Sequence, residues 1–201
     1  MRITPRIASI TLTAALAIGG AALPAMAADV GGVKVDDTAT VAGKELKLNG
    51  AGMRQILMIK GYAIGLYLPE KKEMSAAELL ALPVDRPRRV ALHIQREINS
   101  DEFGQLFIKG MNANSTKEEK AKVINQTTKF GEMFAALEPV KKGDVVTLDW
   151  VPGQGTVSTL NGKKIGETLP DIAFYNAVLR IWVGENPVQE NIKRLLLTGK
   201  N

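Results

Sequence analysis

The sequence predicts an α+β layer fold, an antiparallel or mixed sheet with helices on one face. Strand-like and helical stretches are grouped along the chain and do not alternate one for one. Turn dipeptides, Asn161-Gly162 above all, join strand to strand as antiparallel hairpins require. The chain has 201 residues and no cysteine, and a domain of this size can be held by packing alone.

The first segment stands outside that fold. Arg2 and Arg6 give a positive start, Ile7 to Leu23 is small and apolar, and Ala25-Met26-Ala27 offers an A-x-A cleavage site. Residues 1–27 therefore read as a secretory signal peptide, its apolar run short of the roughly 20 residues that span a bilayer. No cysteine follows the cleavage site to carry a lipid. The expectation is one domain over residues 28–201, periplasmic, with no stable membrane insertion after cleavage.

Within the domain, Val33-Lys34-Val35, Ala39-Thr40-Val41 and Leu46-Lys47-Leu48 predict short strands, with turns at Ala42-Gly43-Lys44 and Asn49-Gly50. Leu57 to Leu68 is mostly apolar, with β-branched and aromatic residues, and predicts one strand with a deeply buried face. Ser75-x-x-Glu78 is a capping box for a short helix that Pro83 ends. Arg86-Pro87-Arg88-Arg89 reads as a solvated loop before a strand over Val90 to Gln95. The period then becomes helical. Asn99 to Glu102 caps a helix with Phe103, Leu106, Phe107 and Met111 on one stripe, and Ser115-x-x-Glu118 caps a second carrying Val123, Thr127, Phe130 and Phe134. Strands follow over Val145 to Val151 and Val157 to Leu160. Pro170-Asp171 then opens a helix closed by Gly184, and Pro187 begins a last one through Leu197.

Composition excludes several functions. Without residues 1–27 the formal charge falls from +5 to +3, and no basic cluster is interleaved with aromatics, so nucleic-acid binding is not expected. His93, the only histidine, sits mid-strand without the carboxylate motif a triad would need, and one histidine with no cysteine does not make a structural zinc site; no metal or cofactor is expected. Gly153-Gln154-Gly155 lacks the third glycine and the following helix of a dinucleotide site and reads as a hairpin tip. Trp150 and Trp182 read as core aromatics.

Arg54 is different, because desolvating a guanidinium without a partner costs several kcal/mol. Three readings compete: it points to solvent at a strand end, it forms a structural ion pair, or it awaits an anionic ligand. Tyr62 shares its strand parity, as do Ile56, Met58 and Ile64. Yet along one unbroken strand Arg54 and Tyr62 stand about 26 Å apart. They can cooperate only if the chain reverses near residues 54–57.

The stretch LNGAGMRQILMIKGYAIGLYLPE resembles the signature of the chalcone isomerase-like family, and the later DWVPGQGTVSTLNGKKIGETLPDIAFYNAVLRIWVGENPV resembles its C-terminal hairpin and helix. The resemblance covers about residues 30–198. It implies an open-faced β-sandwich, a large antiparallel sheet packed against a layer of helices, with a ligand cleft between the layers. It also implies the hairpin that the spacing of Arg54 and Tyr62 requires. Some members of the family cyclise chalcones to flavanones, an arginine holding the oxyanion; others bind fatty acids without catalysis through an arginine and a nearby tyrosine. Arg54 matches the shared arginine. Tyr62 stands where the enzymes have threonine and the binders have tyrosine. The enzymes' tyrosine and asparagine on the first cleft helix fall near Phe103 and Gly110, which carry no polar group.

The resemblance thus implies binding of a fatty acid or similar amphipathic carboxylate without turnover, held by Arg54 and Tyr62. Ile56, Met58, Ile64, Phe103, Leu106, Phe107 and Met111 are the candidates for an apolar slot around the acyl chain. The alternatives are an intramolecular lyase of the chalcone-to-flavanone type using Arg54 on an oxyanion, and a structural or partner-binding protein whose cleft is filled by its own side chains.

Overall fold

A computed structural model describes residues 27–199; of the predicted signal peptide, all but Ala27 lies outside them. β1 (Ala27–Val30) and β2 (Val33–Asp36) form a separate hairpin. β3 (Thr38–Val41), β4 (Lys44–Ile56), β5 (Ile59–Leu68), β6 (Arg88–Ile94), β7 (Val145–Val151), β8 (Gly155–Leu160) and β9 (Lys163–Leu169) follow one another across a seven-stranded sheet. Every neighbouring pair is antiparallel. The helices are α1 (Ala76–Leu80), α2 (Ser100–Ala113), α3 (Lys117–Lys122), α4 (Ile124–Ala135), α5 (Ile172–Val183) and α6 (Glu190–Leu197). None of them is long and apolar enough to cross a membrane.

Local chemistry sets the helix starts. Ser75 and Glu78 close the predicted capping box on α1, Asn99 Oδ1 accepts the Asp101 and Glu102 N–H groups of α2, and Asp171 Oδ1 accepts Ala173 N–H of α5. The Asn161-Gly162 turn joins β8 to β9 with both residues at positive φ, the two-residue hairpin its sequence predicts.

The sheet buries both faces unequally. On one face Ile64, Leu66, Val90, Leu92, Val146 and Leu148 pack under α2, α4, α5 and α6, which contribute Phe103, Phe130, Phe134, Phe174, Trp182 and, from α6, Ile192 and Leu196. Burying side chains of this size contributes about 1.5–3 kcal/mol each, so this layer dominates the stability. On the other face the β1–β2 hairpin covers a smaller patch, with Val35 against Ala63, Tyr67 and Ala91.

Several predicted boundaries shift for identifiable reasons. Asn49-Gly50 is no turn: β4 runs through it as a bulge, because buried Asn49 bonds to the Leu196 carbonyl (2.8 Å) and Lys72 N–H (2.7 Å). Leu57 to Leu68 is not one strand, since Leu57 and Met58 form the exposed turn between β4 and β5. Arg88-Arg89 is not solvated. Arg88 is wholly buried and Arg89 forks onto Asp149 with two bonds of 2.6 Å. The second capping box is one residue later, Thr116 with Glu119, and the helix breaks at Val123 into α3 and α4. α6 begins at Glu190, beyond Pro187.

Candidate ligand-binding site

The turn at Leu57-Met58 brings Arg54 opposite Tyr62 as cross-strand partners on β4 and β5. Residues 26 Å apart in an extended chain therefore become neighbours on the helix-covered face. Immediately beyond the pair Gly61 is left unpaired as a bulge, so the tip is re-aimed relative to the rest of the hairpin.

Arg54 is half-buried, and among the described residues it has no carboxylate within ion-pair distance. Its Nη1 donates to the Gln55 carbonyl (3.2 Å) and to Gln189 Oε1 (3.1 Å), both neutral acceptors. Gln189 Oε1 also accepts Gln55 N–H at 3.2 Å, which fixes the start of α6 against β4. The structural ion pair is thereby removed from the three readings of Arg54. Tyr62 is also half-buried, and its hydroxyl accepts the indole Nε1–H of Trp182 at 2.9 Å. Burial pushes the phenol above its ordinary value, with the bond from Trp182 and the charge of Arg54 opposing. Tyr62 is a neutral phenol at neutral pH, and its own proton is available for donation.

Behind Tyr62 the layer is aromatic. Trp182 meets Phe107 edge-to-face at 5.8 Å, Phe107 meets Phe103 at 5.1 Å, and Phe134 stacks on Phe107 at 5.6 Å. The ground between Tyr62 and α2 is thus occupied by side chains. Of the residues expected to line an apolar slot, Ile64, Phe103, Phe107 and Met111 are buried in this layer. Ile56, Met58 and Leu106 are not: they are 60%, 88% and 49% exposed. The first two lie on the hairpin tip, and Leu106 turns outward because α2 buries the narrower stripe Phe103, Phe107 and Met111. Gly110 is a packing residue, since a Cβ there would lie 3.0 Å from Ile181 of α5.

Trp182 and Gln189 complete the site, and neither was singled out for it by sequence. In sequence Trp182 reads as a core aromatic; Gln189 carries no signal, because its role depends on where α6 lands. Met111 borders a cavity of about 240 Å³ between α2, α3 and α4, with Ile108, Val123 and Ile124 in its walls. A larger groove of about 960 Å³ lies between β1, β4 and α6 and shares Gln55, Leu57 and Gln189 with the surroundings of Arg54. His93 on β6 is half-buried, and burial lowers its pKa, which leaves it a neutral strand residue.

Fold and site together define an open-faced sheet-and-helix protein with a cationic and a phenolic side chain paired at the layer interface. The chain belongs to the chalcone isomerase-like family, whose model matches residues 27–198. Solved structures that match include a fatty-acid binding protein of Arabidopsis thaliana, with a TM-score of 0.60 and 15% sequence identity over 83% of this chain and 92% of that one. That likeness is one of fold. No curated protein sequence matches the chain.

Proposed function

We propose that this protein binds a fatty acid or similar amphipathic carboxylate without turning it over. One observation carries the reading: Arg54 and Tyr62 stand side by side with a guanidinium that meets only neutral acceptors and a phenol with a proton to give. A carboxylate completes both, through a charge-assisted bond from Arg54 and a neutral one from Tyr62. The amino end of α6 lies beside the same point through Gln189, and a helix start favours negative charge. The Arabidopsis protein of the same fold is named for fatty-acid binding, in keeping with this reading.

Cyclisation of a chalcone receives less support. The enzymes' polar groups on the first cleft helix fall near Phe103, locked in the aromatic layer, and Gly110, closed against Ile181. A second reading is favoured by the packing itself: the aromatic layer fills the ground behind Tyr62, as a structural or partner-binding protein with a filled cleft requires. Export to the periplasm belongs to the proposal and rests on the sequence of residues 1–27. N-terminal sequencing of the exported protein tests it, with Ala28 expected first.

Titration with a fatty acid separates the readings of the site. Saturable binding that Arg54→Ala weakens about thirtyfold supports the carboxylate clamp. Absence of binding in wild type supports the filled layer.

A further inference from the structure

The tip of the β4–β5 hairpin is Ile56-Leu57-Met58-Ile59, exposed by 60%, 87%, 88% and 61%. Among the described residues the only other exposed large apolar side chains are Val84, Leu106 and Ile124, each isolated in sequence. Singly exposed apolar residues are ordinary; a consecutive protruding run is not. Leu57 moreover holds a φ of 52°, at the first position of a two-residue hairpin turn, where glycine is the unstrained choice. The turn thus keeps a large apolar side chain where backbone geometry argues against one.

The topology gathers cations at the same end of the sheet. Lys60 flanks the tip and bonds to the Gly31 carbonyl. Arg96 follows Gln95, whose N–H donates to the carbonyl of Gly61 on β5. Gly143 N–H donates to the Ile94 carbonyl, which sets Lys141-Lys142 beside the end of β6. Asn161 N–H donates to the Val145 carbonyl, so the β8–β9 turn and Lys163-Lys164 complete the row. All these cations are exposed. At about 4.8 Å per strand, β9, which carries Lys163 and Lys164, stands about 19 Å from β5, so one surface can meet the whole row. Of the nearby exposed carboxylates, Asp29 is paired with Lys34 at 3.5 Å, and Glu97, Asp101, Glu102 and Glu138 sit on the passage into the helical layer. Asp144 is satisfied internally by Lys141 N–H and the Asn161 amide.

We infer that this end of the sheet docks on an anionic lipid bilayer, the Ile56–Ile59 tip entering the boundary between headgroups and acyl chains while the flanking cations meet lipid phosphates. Apolar penetration joined to a basic rim is the combination that holds peripheral proteins on membranes. The inference stands apart from the carboxylate clamp, although it places the mouth of that site next to a source of acyl chains.

Vesicle sedimentation of the purified protein tests it. Wild type is expected to sediment with phosphatidylglycerol vesicles, to be released as salt rises, and to bind pure phosphatidylcholine vesicles at least about tenfold more weakly. Leu57→Asn with Met58→Gly gives an unstrained turn and keeps the hairpin; it should lower vesicle binding at least about tenfold. Lys142→Glu with Lys163→Glu, whose side chains bond to nothing among the described residues, should weaken binding to anionic vesicles by a similar factor, about tenfold. Wild type that stays in the supernatant, or a tip variant that sediments as well as wild type, overturns the inference. So does a concentration-dependent dimer lost in the tip variant without any vesicle binding, which assigns the tip to a second copy. Fatty-acid titration of the tip variant in vesicle-free solution reads the clamp separately.

Discussion

Arg54 keeps its charge beside a carbonyl and an amide oxygen, so little inside the protein depends on it. Replacing it with alanine should leave stability within about 0.5 kcal/mol. Its loss from a half-buried charge pair with a ligand carboxylate should weaken binding by about 2 kcal/mol, some thirtyfold. Tyr62 presents the opposite balance. Tyr62→Phe removes one neutral bond to the ligand, about 0.5–1.5 kcal/mol, but also strips the indole of Trp182 of its acceptor among the described residues. An orphaned buried donor costs about 1–3 kcal/mol, so this variant should melt lower than Arg54→Ala while binding better. Thermal melts and fatty-acid titrations of both variants check the crossing. If Arg54→Ala bound as tightly as wild type, the clamp would be wrong, whatever the melts showed.

At the scale of elements, two contacts hold helices to the sheet at points that local sequence does not reveal. α6 lies so close to β4 that a Cβ on Gly50 would collide with the Leu195 carbonyl, whereas one on Gly52 would meet the Leu195 side chain at 3.3 Å. Backbone cannot yield as a leucine can. Gly50→Ala should cost about 3 kcal/mol or more, and Gly52→Ala about 1 kcal/mol, compared by denaturant midpoints. Arg88, wholly buried and without a carboxylate partner among the described residues, donates to the carbonyls of Leu79, Leu82 and Pro83 and lies over the Tyr175 ring, closing the end of α1. Arg88→Met should therefore destabilise by about 2–4 kcal/mol, and Arg88→Lys, lacking the fork, should restore only part of it. Contacts of this kind, made by residues far apart in the chain, leave no local signal in the sequence. The capping residues and Asn161-Gly162 act on their own neighbours, so their elements were legible. Asn49-Gly50 has the local chemistry of a turn, and only the distant α6 makes it a bulge. Leu57-Met58 has none of the usual turn residues, so its reversal was supplied by family resemblance. Arg54 and Tyr62 were legible as unusual residues within an apolar run; Gln189 and Trp182 join them only through the packing of α6 and α5.

Across the whole molecule the three tyrosines report on both layers at once. Tyr62 on β5 and Tyr175 on α5 lie between the sheet and the helices, while Tyr67 lies under the β1–β2 hairpin with its hydroxyl donating to the Asp36 carbonyl at 2.9 Å. All three phenols are pushed up, chiefly by burial; the charge of Asp36 adds to the effect at Tyr67, and that of Arg88 opposes it at Tyr175. An unfolded tyrosine loses its proton near pH 10, whereas the native phenols keep theirs. Above that pH the unfolded chain binds fewer protons than the native one, so stability present below about pH 10 falls as pH rises further. Tyrosinate absorbance should stay flat where free tyrosine titrates, then rise in one steep step that coincides with loss of circular dichroism. Tyr62→Phe should remove about a third of that step, as one of the three phenols. One step for all three means the sheet, its helices and the small hairpin unfold together. An early partial rise that Tyr67→Phe abolishes, with the dichroism intact, would show instead that the β1–β2 hairpin opens by itself while the helical layer and the Arg54 site hold.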